Sequence, residues 1–265
     1  MALTARRRPP RLALRLVVAA AAALLLLLAP QAAQAQSVIA FGDSVTKGFV
    51  PSADQNIPYT LTLERLLRNR FGGGAYVRNE NSGPATLLPT PERPLMAPTV
   101  YNALGGGGNF QTAVFMVGTN DVLAGHRSGG EVIGALRPLV DAALNRGSRV
   151  LLLSMPPTAI STAAQERQRQ ALNEAEKQLA REYRGRGKPV TAVDLETGLY
   201  DRLGGGFQPN ARGVLEDGVH LCRQCYEQLG RLVYKAIGAE AGWCGGGRRK
   251  GAAVLTAAEL GRLNC

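Results

Sequence analysis

The chain has 265 residues, 45% hydrophobic, 5% aromatic and 19% charged, with a formal net charge of +11. That length suits one large domain or two small ones. The basic excess does not mark a nucleic-acid binder: five of its arginines precede residue 16, and no long basic face with interleaved aromatics follows them.

The first 35 residues read as a leader. Arg6, Arg7, Arg8, Arg11 and Arg15 stand in a stretch without acids, an apolar run covers residues 16–29, and Ala33-Gln34-Ala35 offers small residues for cleavage. This is the pattern of a secretory signal peptide, expected over residues 1–35 with cleavage after Ala35. The apolar run falls short of the roughly 18 residues a spanning helix needs. A secreted or periplasmic protein, with no stable membrane insertion after cleavage, is therefore expected. Beyond the leader 26 basic residues face 20 acidic ones, a net +6. The densest basic patch, Arg248-Arg249-Lys250, sits in a glycine-rich stretch and reads as solvated surface.

Short apolar runs then alternate with longer amphipathic ones. Residues 37–41 (SVIAF) predict a buried strand. Residues 57–71 predict a helix, with Leu61, Leu63, Leu66 and Leu67 among Arg65, Arg68 and Arg70. Strands follow at 75–79, 112–117 (TAVFMV), 149–154 (RVLLLS) and 189–194 (PVTAVD). Helices are predicted at 131–145, 161–183 and 223–237. Strand and helix in alternation imply a parallel sheet with helices on both faces. TAVFMV and RVLLLS are continuous apolar runs, as strands buried on both faces require. The pattern indicates one domain over residues 36–240 and a tail over 241–265. Glycine runs at 72–74, 105–108, 204–206 and 245–247 fall between elements. None precedes Lys-Ser/Thr, so none reads as a phosphate loop.

Ligands of open α/β sheets bind outside the carboxyl ends of the strands. The first strand ends in Gly42-Asp43-Ser44. The second is followed by Ser82-Gly83-Pro84-Ala85-Thr86, the third by Gly118-Thr119-Asn120-Asp121, and the last by Asp217-Gly218-Val219-His220. Serine-based ester hydrolysis needs a hydroxyl beside a base, a carboxylate to orient that base, and donors for the developing oxyanion. Ser44 fits the first role. His220 fits the second, and His126 is the chain's other histidine. Asp217, three residues before His220, is placed by a turn beside the same imidazole. The backbone N–H groups of Ser44 and Gly83 and the side-chain amide of Asn120 are the candidate oxyanion donors. Pro84 has no N–H, so Gly83 must serve at its segment. Asp43 is read as a brace of the turn and Asp121 as a structural acid.

These four segments resemble, in order and spacing, the SGNH (GDSL-type) hydrolase family. Gly42-Asp43-Ser44-Val45 resembles its first block, Ser82–Thr86 its glycine block, Gly118–Asp121 its asparagine block and Asp217–His220 its Asp-x-x-His block. The resemblance covers residues 37–238. It implies a flavodoxin-like three-layer α/β/α sandwich with about five parallel strands, serine esterase activity, and no metal or organic cofactor. Two positions depart from the pattern: Leu221-Cys222 stands where family members often carry proline, and Cys225 where glycine precedes the tyrosine. The chain also lacks a Gly-x-Ser-x-Gly elbow, since residue 46 is threonine.

The four cysteines, Cys222, Cys225, Cys244 and Cys265, lie late in the chain. An even count in an exported protein predicts two disulfides, with three pairings open. Their spacing lacks the second close pair of a zinc site. The expected activity is carboxylic-ester hydrolysis through an acyl-enzyme on Ser44. The substrate is a small ester or an acylated carbohydrate or lipid, with acetyl-esterase, lysophospholipase and thioesterase chemistry all open. An O-acyltransferase acting on sugar hydroxyls with the same residues is the alternative. The segments at 52–57, 87–100 and 105–109 are expected to shape the pocket. No nucleic-acid partner is expected, and oligomeric state is not readable.

Overall fold

Six residues, SVIAFG, open the sheet as β1 (Ser37–Gly42), buried along its whole length. A strand buried on both sides reads as a largely apolar run. β5 (Thr112–Met116) and β7 (Val190–Asp194) are likewise buried throughout, and in β6 (Arg149–Leu153) all but the opening Arg149 is buried. A computed structural model describes residues 36–196, 217–245 and 251–265. The expected signal peptide and the patch at Arg248-Arg249-Lys250 lie outside them.

Between β1 and β5 the chain makes a one-turn helix α1 (Ser44–Lys47), a small hairpin of β2 (Phe49–Val50) and β3 (Gln55–Asn56), the helix α2 (Tyr59–Phe71), the strand β4 (Tyr76–Asn81) and the helix α3 (Ala97–Gly105). A short α4 (Thr119–Leu123) follows β5. Then come α5 (Gly129–Asn145), β6, α6 (Ala163–Gly185), β7 and α7 (Arg223–Ala241). The chain closes with β8 (Val254–Thr256) and α8 (Ala257–Arg262).

Among the described residues the main sheet has six strands in the order β4-β1-β5-β6-β7-β8. Every neighbouring pair is parallel. The flavodoxin-like α/β/α sandwich expected from the sequence is thus present, with a sixth strand contributed by the tail. β4 also continues past residue 79, because Glu80 and Asn81 pair with Phe41 and Gly42. As an edge strand it accepts polar residues that a central strand would not.

Alternation along the strands divides the core into two layers. Val38, Ala40, Val114, Met116, Leu151 and Leu153 face α2 and α7, packing with Leu63, Leu67, Leu229 and Val233. Ile39, Phe41, Ala113, Phe115, Val150 and Leu152 face the other way, onto Val100 of α3, Leu136 and Leu139 of α5 and Leu172 and Leu179 of α6. Each of the larger side chains among these, alanines aside, contributes about 1.5–3 kcal/mol by leaving water. The helices α2 and α7 come close enough that a Cβ on Gly230 would lie 2.5 Å from the Tyr59 carbonyl oxygen. Both α5 and α6 begin with capping boxes, Ser128 with Glu131 and Thr162 with Gln165. Each box satisfies donors that the first helical turn leaves open.

Of the three cysteine pairings the structure has Cys222–Cys225 and Cys244–Cys265. The first bridges the opening turn of α7. The second joins the residues after α7 to the end of the chain, alongside a backbone bridge between Gly245 and Asn264. No helix among the described residues is long and apolar enough to cross a membrane.

Candidate active site

The chain leaves β1 and moves to β4 on one side, then returns to β5 on the other. The sheet order therefore reverses beside the carboxyl end of β1, the position where open α/β sheets form a crevice. Three of the four segments singled out from the sequence emerge at that reversal.

Ser44 is the first residue of α1. Asp43 caps that helix, its carboxylate accepting from the Val45 N–H at 2.9 Å. The turn is tight: a Cβ on Gly42 would overlap Thr46 Oγ1 and lie 2.5 Å from the Met116 carbonyl oxygen. Only glycine lets the serine leave the strand so abruptly. Ser82 follows β4 and donates its N–H to the Gly42 carbonyl at 3.0 Å, which ties the glycine segment to the serine turn. Gly83 itself has φ +56°. After β5, Gly118 turns the chain into α4 and delivers Asn120. The Asn120 Nδ2 donates to the Ala85 carbonyl at 3.1 Å, while its Oδ1 accepts from Arg93 Nη1 at 2.9 Å. Asp121 accepts from the backbone N–H groups of Leu87 and Leu88 and so holds the loop above α4, in keeping with a structural role.

The Asp217–His220 segment closes the site. One Asp217 oxygen accepts from the N–H groups of Val219 at 2.9 Å and His220 at 2.8 Å. The other lies 2.7 Å from His220 Nδ1, and His220 Nε2 lies 2.9 Å from Ser44 Oγ. Burial alone would raise the Asp217 carboxyl. The hydrogen bonds from the His220 backbone and ring and from the Val219 N–H outweigh it and hold the carboxyl below its ordinary range. An ionised carboxylate only accepts, so Nδ1 must donate to it, and a neutral imidazole then offers Nε2 as the acceptor for the serine proton. The Phe49 ring meets the imidazole edge-on, with centroids 5.1 Å apart. Phe49 is fixed in turn by the Tyr226 hydroxyl, which donates to its carbonyl. A Cβ on Gly218 would lie 2.7 Å from Ile160 Cγ2, and the Ala159 N–H donates to the Gly218 carbonyl at 2.7 Å. The β6–α6 loop thus supports the histidine turn from behind.

Asp43 is fully buried behind this array. Burial pushes its carboxyl up to about 6, against the pull of the Val45 N–H and the Thr119 hydroxyl, and the neighbouring Asp121 adds to the rise. Burial raises Asp121 as well, opposed by the Leu87 and Leu88 N–H groups.

Ser44, Gly83, Asn120 and His220 all line one open cleft of about 550 Å³. Phe49, Leu123, Ile160 and Val219 form its apolar wall, and Lys47 and Arg93 add two cations. Of the three segments expected to shape the pocket, only 87–100 contributes a lining residue among those described, namely Arg93. The 52–57 segment carries the outer part of the β2–β3 hairpin, whose base residue Phe49 reaches the cleft instead. The 105–109 segment lies at the opposite end of the strands, where the Asn109 carbonyl accepts from the Ser37 hydroxyl at the start of β1. His126 sits in an exposed turn with φ +49°, away from the cleft lining. The sequence did not reveal Arg93: its neighbours Pro89-Thr90-Pro91 and Pro94 carry no periodicity, and no motif includes it.

Known proteins share this fold and family. The model of the GDSL-like lipase/acylhydrolase family matches residues 40–228. Among solved structures, the chain is similar to a carbohydrate acetylesterase from Sinorhizobium meliloti, with 21% identity and a TM-score of 0.58, covering 77% of this chain and 99% of that one. It is also similar to an aryl esterase of M. smegmatis, with 19% identity and a TM-score of 0.57, covering 77% and 98%. A member of the lipolytic G-D-S-L family from Veillonella parvula aligns at 19% identity and a TM-score of 0.55, covering 72% and 92%. No curated protein matches the chain.

Proposed function

Since the chain belongs to the GDSL-like lipase/acylhydrolase family of ester hydrolases, we propose that it cleaves carboxylic esters through an acyl-enzyme on Ser44. Ser44 Oγ attacks the ester carbonyl as His220 Nε2 takes its proton. The backbone N–H groups of Ser44 and Gly83 and the Asn120 amide receive the developing oxyanion. On collapse, His220 returns the proton to the leaving alkoxide. It then draws a proton from water, which attacks the acyl carbonyl, and hands that proton to Ser44 Oγ as the carboxylic acid leaves. Asp217 keeps Nδ1 protonated throughout and stabilises the imidazolium as it forms.

The observation that carries this reading is the unbroken relay from Asp217 through His220 to Ser44, with separations of 2.7 and 2.9 Å. The apolar wall of Phe49, Leu123, Ile160 and Val219 supports a small acyl group as the first substrate class to try. The similar structures include a carbohydrate acetylesterase and an aryl esterase, and the first of these names a short acyl group. Secretion or a periplasmic location is supported by the two disulfides, which persist in oxidising compartments.

Hydrolysis of a p-nitrophenyl ester series from acetate to palmitate tests the proposal. Turnover by the wild type, greatest on short chains and lost in Ser44→Ala, is the expected result. Equal turnover by Ser44→Ala would remove the serine from the reaction.

A further inference from the structure

Asparagine is an ambiguous oxyanion donor. Its amide is nearly symmetric in shape, and only the Nδ2 end can donate. Turned around, it would aim oxygen lone pairs at the developing negative charge. Something must therefore fix the Asn120 amide. Ala85 holds one end, its carbonyl accepting from Nδ2 at 3.1 Å. Arg93 holds the other, Nη1 donating to Oδ1 at 2.9 Å. A guanidinium has no acceptor, so a turned amide would set N–H against N–H at Arg93 and carbonyl against carbonyl at Ala85. The Ala85 contact uses one Nδ2 hydrogen and leaves the second for an oxyanion.

The same Arg93 nitrogen donates to the Pro84 carbonyl at 3.2 Å. Pro84 follows Gly83, so one guanidinium group spans the two segments that supply the Gly83 and Asn120 donors. Its own position is fixed by a narrow loop. The Thr86 N–H donates to the Pro94 carbonyl and the Met96 N–H to the Thr86 carbonyl, at 3.0 and 2.9 Å. A bridge joins Thr90 to Arg93 at the loop's tip. Asp121 anchors the loop's first limb through the Leu87 and Leu88 N–H groups. Both acceptors of Arg93 are neutral, so its charge is not cancelled by them. A cation on Oδ1 also polarises the amide and strengthens the remaining N–H as a donor.

We propose that Arg93 is a positioning residue of the oxyanion site: it sets the orientation of the Asn120 amide and its spacing from Gly83. This rests on the serine-esterase reading above. The test is a double-mutant cycle on the full chain with p-nitrophenyl acetate, a neutral ester that Arg93 has no charge reason to bind. Arg93→Met should lower kcat about 10- to 100-fold, below the roughly 100- to 1000-fold loss expected for removing an oxyanion donor outright. Its KM should stay within about threefold, since an interaction made only in the transition state leaves KM alone. In an Asn120→Ala background the same substitution should cost less than about threefold more, because the amide it orients is gone. Arg93→Lys, which keeps a donor and the charge, should recover part of the loss. A purely structural role would lower activity equally in both backgrounds, and that result would overturn the proposal. So would an unchanged kcat, or an effect confined to KM. Ser44→Ala in parallel separates the two layers. Turnover surviving in Ser44→Ala sinks the esterase reading and this inference with it. An inactive Ser44→Ala with additive Arg93 and Asn120 effects sinks this inference alone.

Discussion

His220 Nε2 lies 2.9 Å from Ser44 Oγ although 176 residues separate them in the chain. The sheet makes this meeting possible. Ser44 leaves β1, the strand beside the β4 edge, and the turn that holds His220 leads directly into α7, which packs on the face of the sheet that carries Val38 and Ala40 of β1. Asp217 has two tasks in that turn. It accepts two backbone N–H groups, which shapes the turn, and it orients the ring.

Those two tasks can be separated. Asp217→Asn keeps an acceptor for the Val219 and His220 N–H groups but no longer requires Nδ1 to donate. We expect kcat to fall about 10³- to 10⁴-fold, the scale of losing a triad carboxylate that fixes the tautomer, with little change in the unfolding midpoint at neutral pH. The depressed Asp217 carboxyl also has a stability consequence. Its folded value lies below the ordinary 3.8, so its contribution is present above pH 3.8 and is lost as pH falls through the folded value. Any stability advantage of the wild type over Asp217→Asn should therefore vanish in acid, as denaturant melts across pH 2–7 would show. An advantage that persists below the folded value would contradict this.

Asp43 works in the opposite sense. Its carboxyl is raised from 3.8 to about 6, so between these values the native state binds more protons than the unfolded chain. Stability should then fall as pH rises from about 4 to 6, by about 3 kcal/mol in all for a shift of that size. Asp43→Asn retains an acceptor for the Val45 N–H and removes the buried charge. It should flatten that part of the stability profile and raise stability at neutral pH. An unchanged slope in the variant would show that Asp43 does not bear the cost.

The two disulfides should differ in what they protect. Cys244–Cys265 closes the longer loop, with a sequence separation of 21 against 3 for Cys222–Cys225. Loop-closure entropy assigns about 3 kcal/mol to the first and about 2 to the second. Cys222, however, stands two residues after His220 and caps α7, accepting from the Cys225 N–H. Replacing Cys222 and Cys225 by serine should lower kcat several-fold, while replacing Cys244 and Cys265 should lower the urea midpoint and leave kcat close to wild type. Paired activity and unfolding measurements check this, and the reverse pattern would uncouple the first disulfide from the histidine turn.

Most of the sheet was legible because β1, β5, β6 and β7 are buried along nearly their whole length and are therefore largely apolar runs. β4 runs two residues past its predicted end because YVRNEN is an edge strand in which four of six residues are polar. Short elements were harder to read, among them α3, a nine-residue helix carrying Pro98 with a buried stripe of only Val100, Ala103 and Leu104, and β8, three residues long and paired with β7. The five candidate site residues could be found because each follows a strand or precedes a helix in a recognisable short motif. Arg93 could not. Its place in the cleft depends on the loop folding back from Pro94 to Thr86, a tertiary event that its own neighbours in the chain do not encode.

Covalent labelling with a fluorophosphonate, followed by peptide mapping, tests the central claim most directly. A serine made nucleophilic by His220 should take up a single adduct on Ser44. Labelling should be absent in Ser44→Ala and slowed at least about 100-fold in His220→Ala, the scale of losing a general base. Labelling of another residue, or equal labelling of the wild type and Ser44→Ala, would contradict the account.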